Sequence, residues 1–282
     1  ELAKNQIVWD ENRKLSNDNV FNSLNTNEKE SLLVKPGGEA VNEKIPEIQS
    51  FDQDNIVTLS SEFRKNYLMH GSIGPSASCS IYTKNKFTIY SHSQSNFSLK
   101  QSISSYFNID TSMVTIKFMP GSGCYGHNGA DDVAFEASVL SKAYPDCHIL
   151  LKWTREDEHC WEPYGSASIN KLFGAINDEG QIVYWSNEAF SDTYLSRPSN
   201  EELNNFTSFK FLNNDFTKIR SKPKTSAHMG IHRNLDPLYN FSKTRLVKNL
   251  VHDLPLRTSA LRTLGAFANI TSSESFLNDL AL

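Results

Sequence analysis

Apolar and polar positions alternate in short runs along much of the chain, and the period of alternation changes with position. Ile56 to Leu59, Cys79 to Tyr82, Phe87 to Tyr90, Val114 to Phe118 and His148 to Trp153 read as strands, because successive side chains on a strand face opposite sides of its sheet. Between Ser98 and Phe107 the period lengthens. Leu99, Ile103 and Phe107 recur at four-residue spacing, which predicts a helix with one apolar face. A second helix is predicted after Gly129, where Ala130, Val133, Ala134, Ala137, Val139 and Leu140 largely follow one buried face. The run QIVYWSNEAF around Trp185, entered through the turn sequence NDEG from Asn177 to Gly180, predicts a further strand. This order of elements defines an α+β domain: a mixed sheet with helices packed on its strands. Ser191 to Met229 is polar, rich in Asn, Ser and Thr.

The first fifty or so residues break the pattern. Asn, Glu, Lys and Ser dominate from Asp10 to Glu47, and the apolar residues there are too scattered for a long amphipathic helix. That stretch reads as a surface linker, with Ile7 to Trp9 closing a preceding strand.

Between the strand ending at Phe118 and the helix after Gly129 lies the sequence MPGSGCYGHNGADD, Met119 to Asp132. Gly121, Gly123, Gly126 and Gly129 permit backbone conformations that side chains forbid and allow close approach to backbone N–H groups. Asn128 is placed to cap the helix, and Asp131 and Asp132 suit the positive end of its dipole. Such a loop is suited to an anion, with phosphate the natural guest; a sharp turn with no ligand is the alternative. The loop lacks the lysine and hydroxyl residue of a P-loop, and its glycines do not fit the dinucleotide fingerprint.

Composition narrows the classes. At 282 residues with 38% hydrophobic residues the chain can bury a large core, and no run of about eighteen apolar residues predicts a membrane span. A formal net charge of -4 without a clustered basic face argues against nucleic acid. Cys79, Cys124, Cys147 and Cys160 have neither paired metal-site spacing nor the density of a disulfide scaffold, so a protein-ligated metal is not expected.

Beyond the loop, GCYGHNGADDVAFEA leads through one helix and one strand into WTREDEHCWEPYG, Trp153 to Gly165. Together with YLMHGSIGPS from Tyr67, SHSQ from Ser91 to Gln94, and PLRTSALRTLGAFANITSSESFLNDLA from Pro255, in this order, the chain resembles the large, molybdopterin-binding subunit of the xanthine dehydrogenase and aldehyde oxidase family. The likeness is to the bacterial branch that includes isoquinoline oxidoreductase and nicotinate dehydrogenase large subunits, and it runs from about Tyr67 to Ala281. It implies a division at residue 55: residues 1–55 as the end of a small preceding domain plus linker, and 56–282 as the first part of the cofactor domain.

The resemblance implies hydroxylation with water as oxygen source, or oxidation of an aldehyde, on molybdopterin in its simple or dinucleotide form. The expected partners are an iron–sulfur small subunit, the rest of the large subunit, and a small aldehyde or N-heterocyclic substrate. In such enzymes a glutamine after a strand approaches an oxo ligand of the metal, and Gln94 occupies the matching position. A neutral amide can donate there without adding charge; the alternative is that Gln94 caps the following helix. Gly123, Cys124, Tyr125 and Gly126 match the loop beside the pterin and the metal, without the phenylalanine and Lys-Glu pair of the purine-oxidising branch. Arg262 matches an arginine of the cofactor pocket, against the alternative of a surface ion pair with Glu274 or Asp279. Leu264 stands where an aromatic flanks the substrate in xanthine-type enzymes. His70 and the run REDEH, Arg155 to His159, read as structural. The family's general base is a glutamate near the end of the large subunit, and no counterpart is identifiable. The expectation is therefore an internal fragment, inactive alone; the competing reading is a nonenzymatic ligand-binding or assembly module that kept the loop. Substrate, electron acceptor and compartment, cytoplasmic or periplasmic, are left open by the sequence.

Overall fold

A computed structural model describes residues 20–194, 196–197, 205–213 and 220–282. Ile7 to Trp9 and parts of the polar stretch after Ser191 lie outside the described residues. In chain order the elements begin with α1 (Val20–Thr26), β1 (Lys29–Val34), β2 (Ala40–Val41), β3 (Ile56–Lys65), β4 (Ala77–Thr83), β5 (Lys86–Ser91), α2 (Asn96–Phe107) and β6 (Val114–Phe118). They continue with α3 (Ala130–Ala143), β7 (Ile149–Lys152), α4 (Arg155–Trp161), β8 (Tyr164–Gly165), β9 (Ser168–Asn177) and β10 (Ile182–Ser191). The last are α5 (Thr207–Asn213), β11 (Thr244–Val251), β12 (Thr258–Ser259) and α6 (Ala266–Ala281).

Two mixed sheets organise the chain. The larger has the order β2-β1-β11-β10-β9-β3, antiparallel except for the parallel pair β10 and β11. The smaller, β6-β5-β4-β7, is antiparallel except for β5 beside β6. A short parallel pair joins β12 to β8. The fold is α+β with mixed sheets.

The linker reading of the polar N-terminal stretch is corrected for residues 20–41. Lys29 to Val34 pairs antiparallel with Val251 to Leu246, which buries Leu32 and Val34 in the core of the large sheet. Leu24 of α1 packs with Ile169 and Phe190. Only one face of β1 is apolar, and its partner lies far along the chain, so local composition conceals it.

Helix α6 covers β9 and β3 and brings Phe276 against Trp185, 5.4 Å between ring centroids. The interface is partly polar. Asn170 of β9 donates to Asn187 of β10 at 3.1 Å and to Asn269 of α6 at 2.9 Å, while Asn269 donates to the Ile231 and Arg233 carbonyls. Buried amides are tolerated here because each finds a partner.

The small sheet carries α2 and α3. Phe87, Ile89 and Val114 meet Leu99, Ile103 and Phe135 in one cluster, and Phe135 stacks on Phe206 at 4.4 Å. The predicted apolar face of α3 needs correction at Leu140, which is exposed, whereas Phe135, Ser138 and Ser141 are buried. Packed against β4, β5, β7, α2 and α5, α3 has little solvent face; Ser138 satisfies its hydroxyl on the Phe135 carbonyl at 2.6 Å.

Candidate functional site

Three segments remote in sequence meet at one place: the turn from β5 into α2, the glycine loop after β6, and the connection from β12 into α6. Gly126 is their meeting point. Its N–H donates to Gln94 Oε1 at 3.0 Å, and its carbonyl accepts from Arg197 at 2.7 Å. On either side, His127 N–H donates to the Ala260 carbonyl at 2.7 Å and Arg262 N–H to the Tyr125 carbonyl at 2.9 Å. Gly126 has φ of +127°, and a Cβ there would be driven into the Ala260 carbonyl, so both conformation and space require glycine.

The bond to Gly126 settles which way the Gln94 amide points. A backbone N–H needs an acceptor, so the carbonyl end faces inward, and the NH₂ end of this exposed side chain is turned outward as a donor. Gln94 does not cap α2. The N-cap is Ser95, without a side-chain cap bond.

The other loop positions divide between interior and cleft. Cys124 turns inward, donating to the Gly126 carbonyl and Asn128 Oδ1, and burial pushes its thiol up from the ordinary range. Its side chain is therefore a packing group. The Tyr125 ring lies over Gly123, where a Cβ would strike it, and beneath the Arg262 guanidinium at 4.7 Å. Arg262 forms that stack instead of an ion pair across α6; Glu274 accepts from Tyr239 at 2.8 Å.

Tyr125, Arg262, Thr263 and Leu264 line a cleft of about 450 Å³ with Lys65, Leu68, His70, Tyr194, Leu261 and Phe267. No carboxylate is among these residues, and two are cationic. Burial draws the Lys65 amine down to about 8. Tyr125, Thr263 and Leu264 hold φ of 55°, 69° and 56°, a left-handed conformation costly for side chains and most of all for a β-branched threonine.

The helix end beneath the loop differs from the expectation. The N-cap of α3 is Gly129, one residue after the predicted Asn128, whose Oδ1 accepts from Ala130 N–H at 3.1 Å. A phosphate seated directly on this helix end is also not what the geometry offers, because the first turn is buried and Gly129 packs against Trp153. Asp131 and Asp132 answer the dipole there. Asp132 takes a bidentate contact from Arg257 at 3.1 and 3.0 Å. Asp131 accepts from Ser93 and lies 2.9 Å from His127 and 3.7 Å from Arg197. Burial alone would raise the Asp131 carboxyl, but His127, Arg197 and Ser93 hold it below the usual carboxylate range.

Ser259, His127 and Asp131 line up as a hydrolytic triad would, with His127 Nδ1 2.7 Å from Ser259 Oγ. They are not one. Ser259 is fully buried and donates its hydroxyl to the Ser196 carbonyl, so no substrate reaches it. His70 is structural in the same way, Nε2 donating to the Ala260 carbonyl at 2.8 Å. The run REDEH forms α4, capped reciprocally by Thr154 and Asp157. Its charges are not all solvated as expected: Glu158 is buried because it accepts from the Ser76 N–H and hydroxyl.

Sequence reasoning missed Arg197, Lys65 and the cluster around Asp131. Arg197 sits in a polar stretch without periodicity, Lys65 ends a strand, and Asp131 was legible only as a dipole partner.

The fold is one shared with parts of larger solved oxidoreductases. Quinoline 2-oxidoreductase from Pseudomonas putida 86 superposes with a TM-score of 0.61 at 12% identity over 80% of this chain and 26% of that one. Aldehyde oxidoreductase from Desulfovibrio gigas gives 0.54 at 15% identity over 90% of this chain and 25% of that one. In sequence, the chain is 29% identical over 223 residues to a subunit of the nicotinate dehydrogenase of Pseudomonas putida (strain KT2440), which is 79% of this chain and 17% of that protein. It thus spans a minor part of each of these proteins. No family model matches it. The chain resembles the molybdopterin-binding large subunits of the xanthine dehydrogenase and aldehyde oxidase family, in their nicotinate dehydrogenase-like branch.

Proposed function

We propose that this chain forms part of the molybdopterin-binding region of a molybdenum hydroxylase large subunit, with the cleft between the glycine loop and residues 260–264 as its cofactor side. The observation that carries the reading is the convergence of Gln94, the loop from Gly123 to Gly126, and Arg262 around the Gly126 peptide. The residues fit the group. An outward amide donor suits a metal centre, and a cleft that has two cations and no carboxylate among its described residues suits a phosphate-bearing pterin. When bound, that cofactor supplies oxidation of an electron-poor carbon with water as oxygen source.

This chain's own residues bind and orient. Gln94 would offer its outward NH₂ to the metal centre, Arg262 and Lys65 would present positive charge to the cofactor's anionic part, and Tyr125 and Leu264 would shape the wall. The general-base glutamate, an iron–sulfur small subunit and the remainder of the large subunit complete the activity, and the chain alone is inactive. Among the described residues no helix is long and apolar enough to cross a membrane.

The test is composition of the intact parent protein. Molybdenum by elemental analysis and a phosphate-bearing pterin by extraction are expected together. Stoichiometric zinc without molybdenum would remove the reading.

A further inference from the structure

The buried groups behind the cleft form a closed circuit. Asp131, in the first turn of α3, is 2% exposed, accepts from Ser93 and faces Arg197 at 3.7 Å. Arg197 donates to the Gly126 carbonyl at 2.7 Å, and Gly126 N–H donates to Gln94 at 3.0 Å. Gln94 directly follows Ser93. The Gly126 peptide is therefore gripped on both sides, and each grip returns to Asp131: through Arg197 at the carbonyl, through the Ser93–Gln94 backbone at the N–H. His127, next to Gly126, adds a third contact at 2.9 Å. A carboxylate this deeply buried requires partners, and Ser93, Arg197 and His127 supply them.

We infer that Asp131 is the positioning residue of this site, acting through Ser93 and Arg197 to fix the Gln94–Gly126 pair and with it the outward aim of the Gln94 amide. Its purpose rests on the cofactor reading; its geometry does not. Asp131→Asn keeps the shape and an acceptor for Ser93 but removes the charge that holds Arg197 and His127. Arg197→Lys keeps a charge but puts all its donors on one nitrogen, in place of a guanidinium that sets one nitrogen on the Gly126 carbonyl and the other toward Asp131.

Hydrogen–deuterium exchange at the Gly126 amide, measured on the whole chain without cofactor, is the experiment. Both variants are expected to exchange there about tenfold to a hundredfold faster than the parent, while amides of β9 and β10 keep their protection. Acceleration of all amides together would show a role in global stability only and overturn the inference. So would unchanged exchange at Gly126 in Arg197→Lys, the variant whose partly exposed side chain makes it the safer one to fold. Molybdenum content of the loaded parent separates the two readings: a parent without molybdenum whose Gly126 amide still responds to both substitutions leaves the positioning role standing and removes the cofactor.

Discussion

On the proposed reading, Gln94 concentrates the chemistry of the site in one side chain. Its carbonyl is committed to Gly126, so its free function is donation. Gln94→Ala is expected to lower turnover per bound molybdenum about tenfold to a hundredfold, as removal of an outer contact to a metal centre typically does, with folding intact because the residue is exposed. Gln94→Glu is expected to be at least as harmful, since an ionised carboxylate only accepts. Both are measured as turnover divided by molybdenum content. Wild-type turnover per metal in both variants would reduce Gln94 to a brace for the loop. Arg262 differs in kind: its guanidinium is stacked on Tyr125, so Arg262 and Tyr125 form one wall of the cleft between them.

Among the elements, α6 and the large sheet are joined through amides as much as through apolar contact. Asn269 accepts from Asn170 and donates to two backbone carbonyls, so Asn269→Ala leaves a buried donor and two acceptors unmet. A loss of about 2–4 kcal/mol is expected in urea unfolding, with no change in the slope, on the basis of about 1–3 kcal/mol for each buried polar group left unsatisfied and partial relief by water. A loss under about 0.5 kcal/mol would mean that water replaces the amide without penalty.

What the sequence made legible at this scale follows from the range of the contacts involved. β4, β5, β6 and α2 announce themselves by local period, since each has one face on a core, whereas β10, buried on both faces, is announced by the turn before it. β1 does not, because Leu32 and Val34 acquire meaning only beside Leu246 and Leu250. At the site, Gln94, the glycine loop and Arg262 were legible through motif resemblance, and the structure gathers them. Arg197 and Asp131 were not legible as site residues, for their roles depend on a path through Gly126 that no spacing encodes.

For the molecule as a whole, buried bases contribute to how stability varies with pH. His232 is fully buried, and burial followed by the charge of Lys248 brings its ring down to about 4 from an ordinary 6.5. The unfolded chain therefore binds a proton that the folded chain refuses, so this contribution is complete above about pH 6.5 and is lost as pH falls toward 4. Lys248, drawn by burial to about 8 from 10.5, works at the other end, and stability attributable to it rises between those values. His232→Gln is expected to flatten the fall in denaturation midpoint between pH 6.5 and 4 and leave the alkaline limb alone. An unchanged acid limb would assign that fall to other groups.

The Ala260 carbonyl accepts from the His127 N–H and from His70 Nε2, and it is the atom that forbids a side chain at Gly126. The junction between the two walls of the cleft thus runs through an oxygen that every amino acid carries. Because the contact is made by the backbone, replacing the side chain of residue 260 leaves the acceptor in place, and a scan of side-chain replacements along this segment will pass over the contact. Only its neighbours betray it: a glycine at 126 that tolerates no substitute, and a histidine at 70 whose loss is felt on the far side of the cleft.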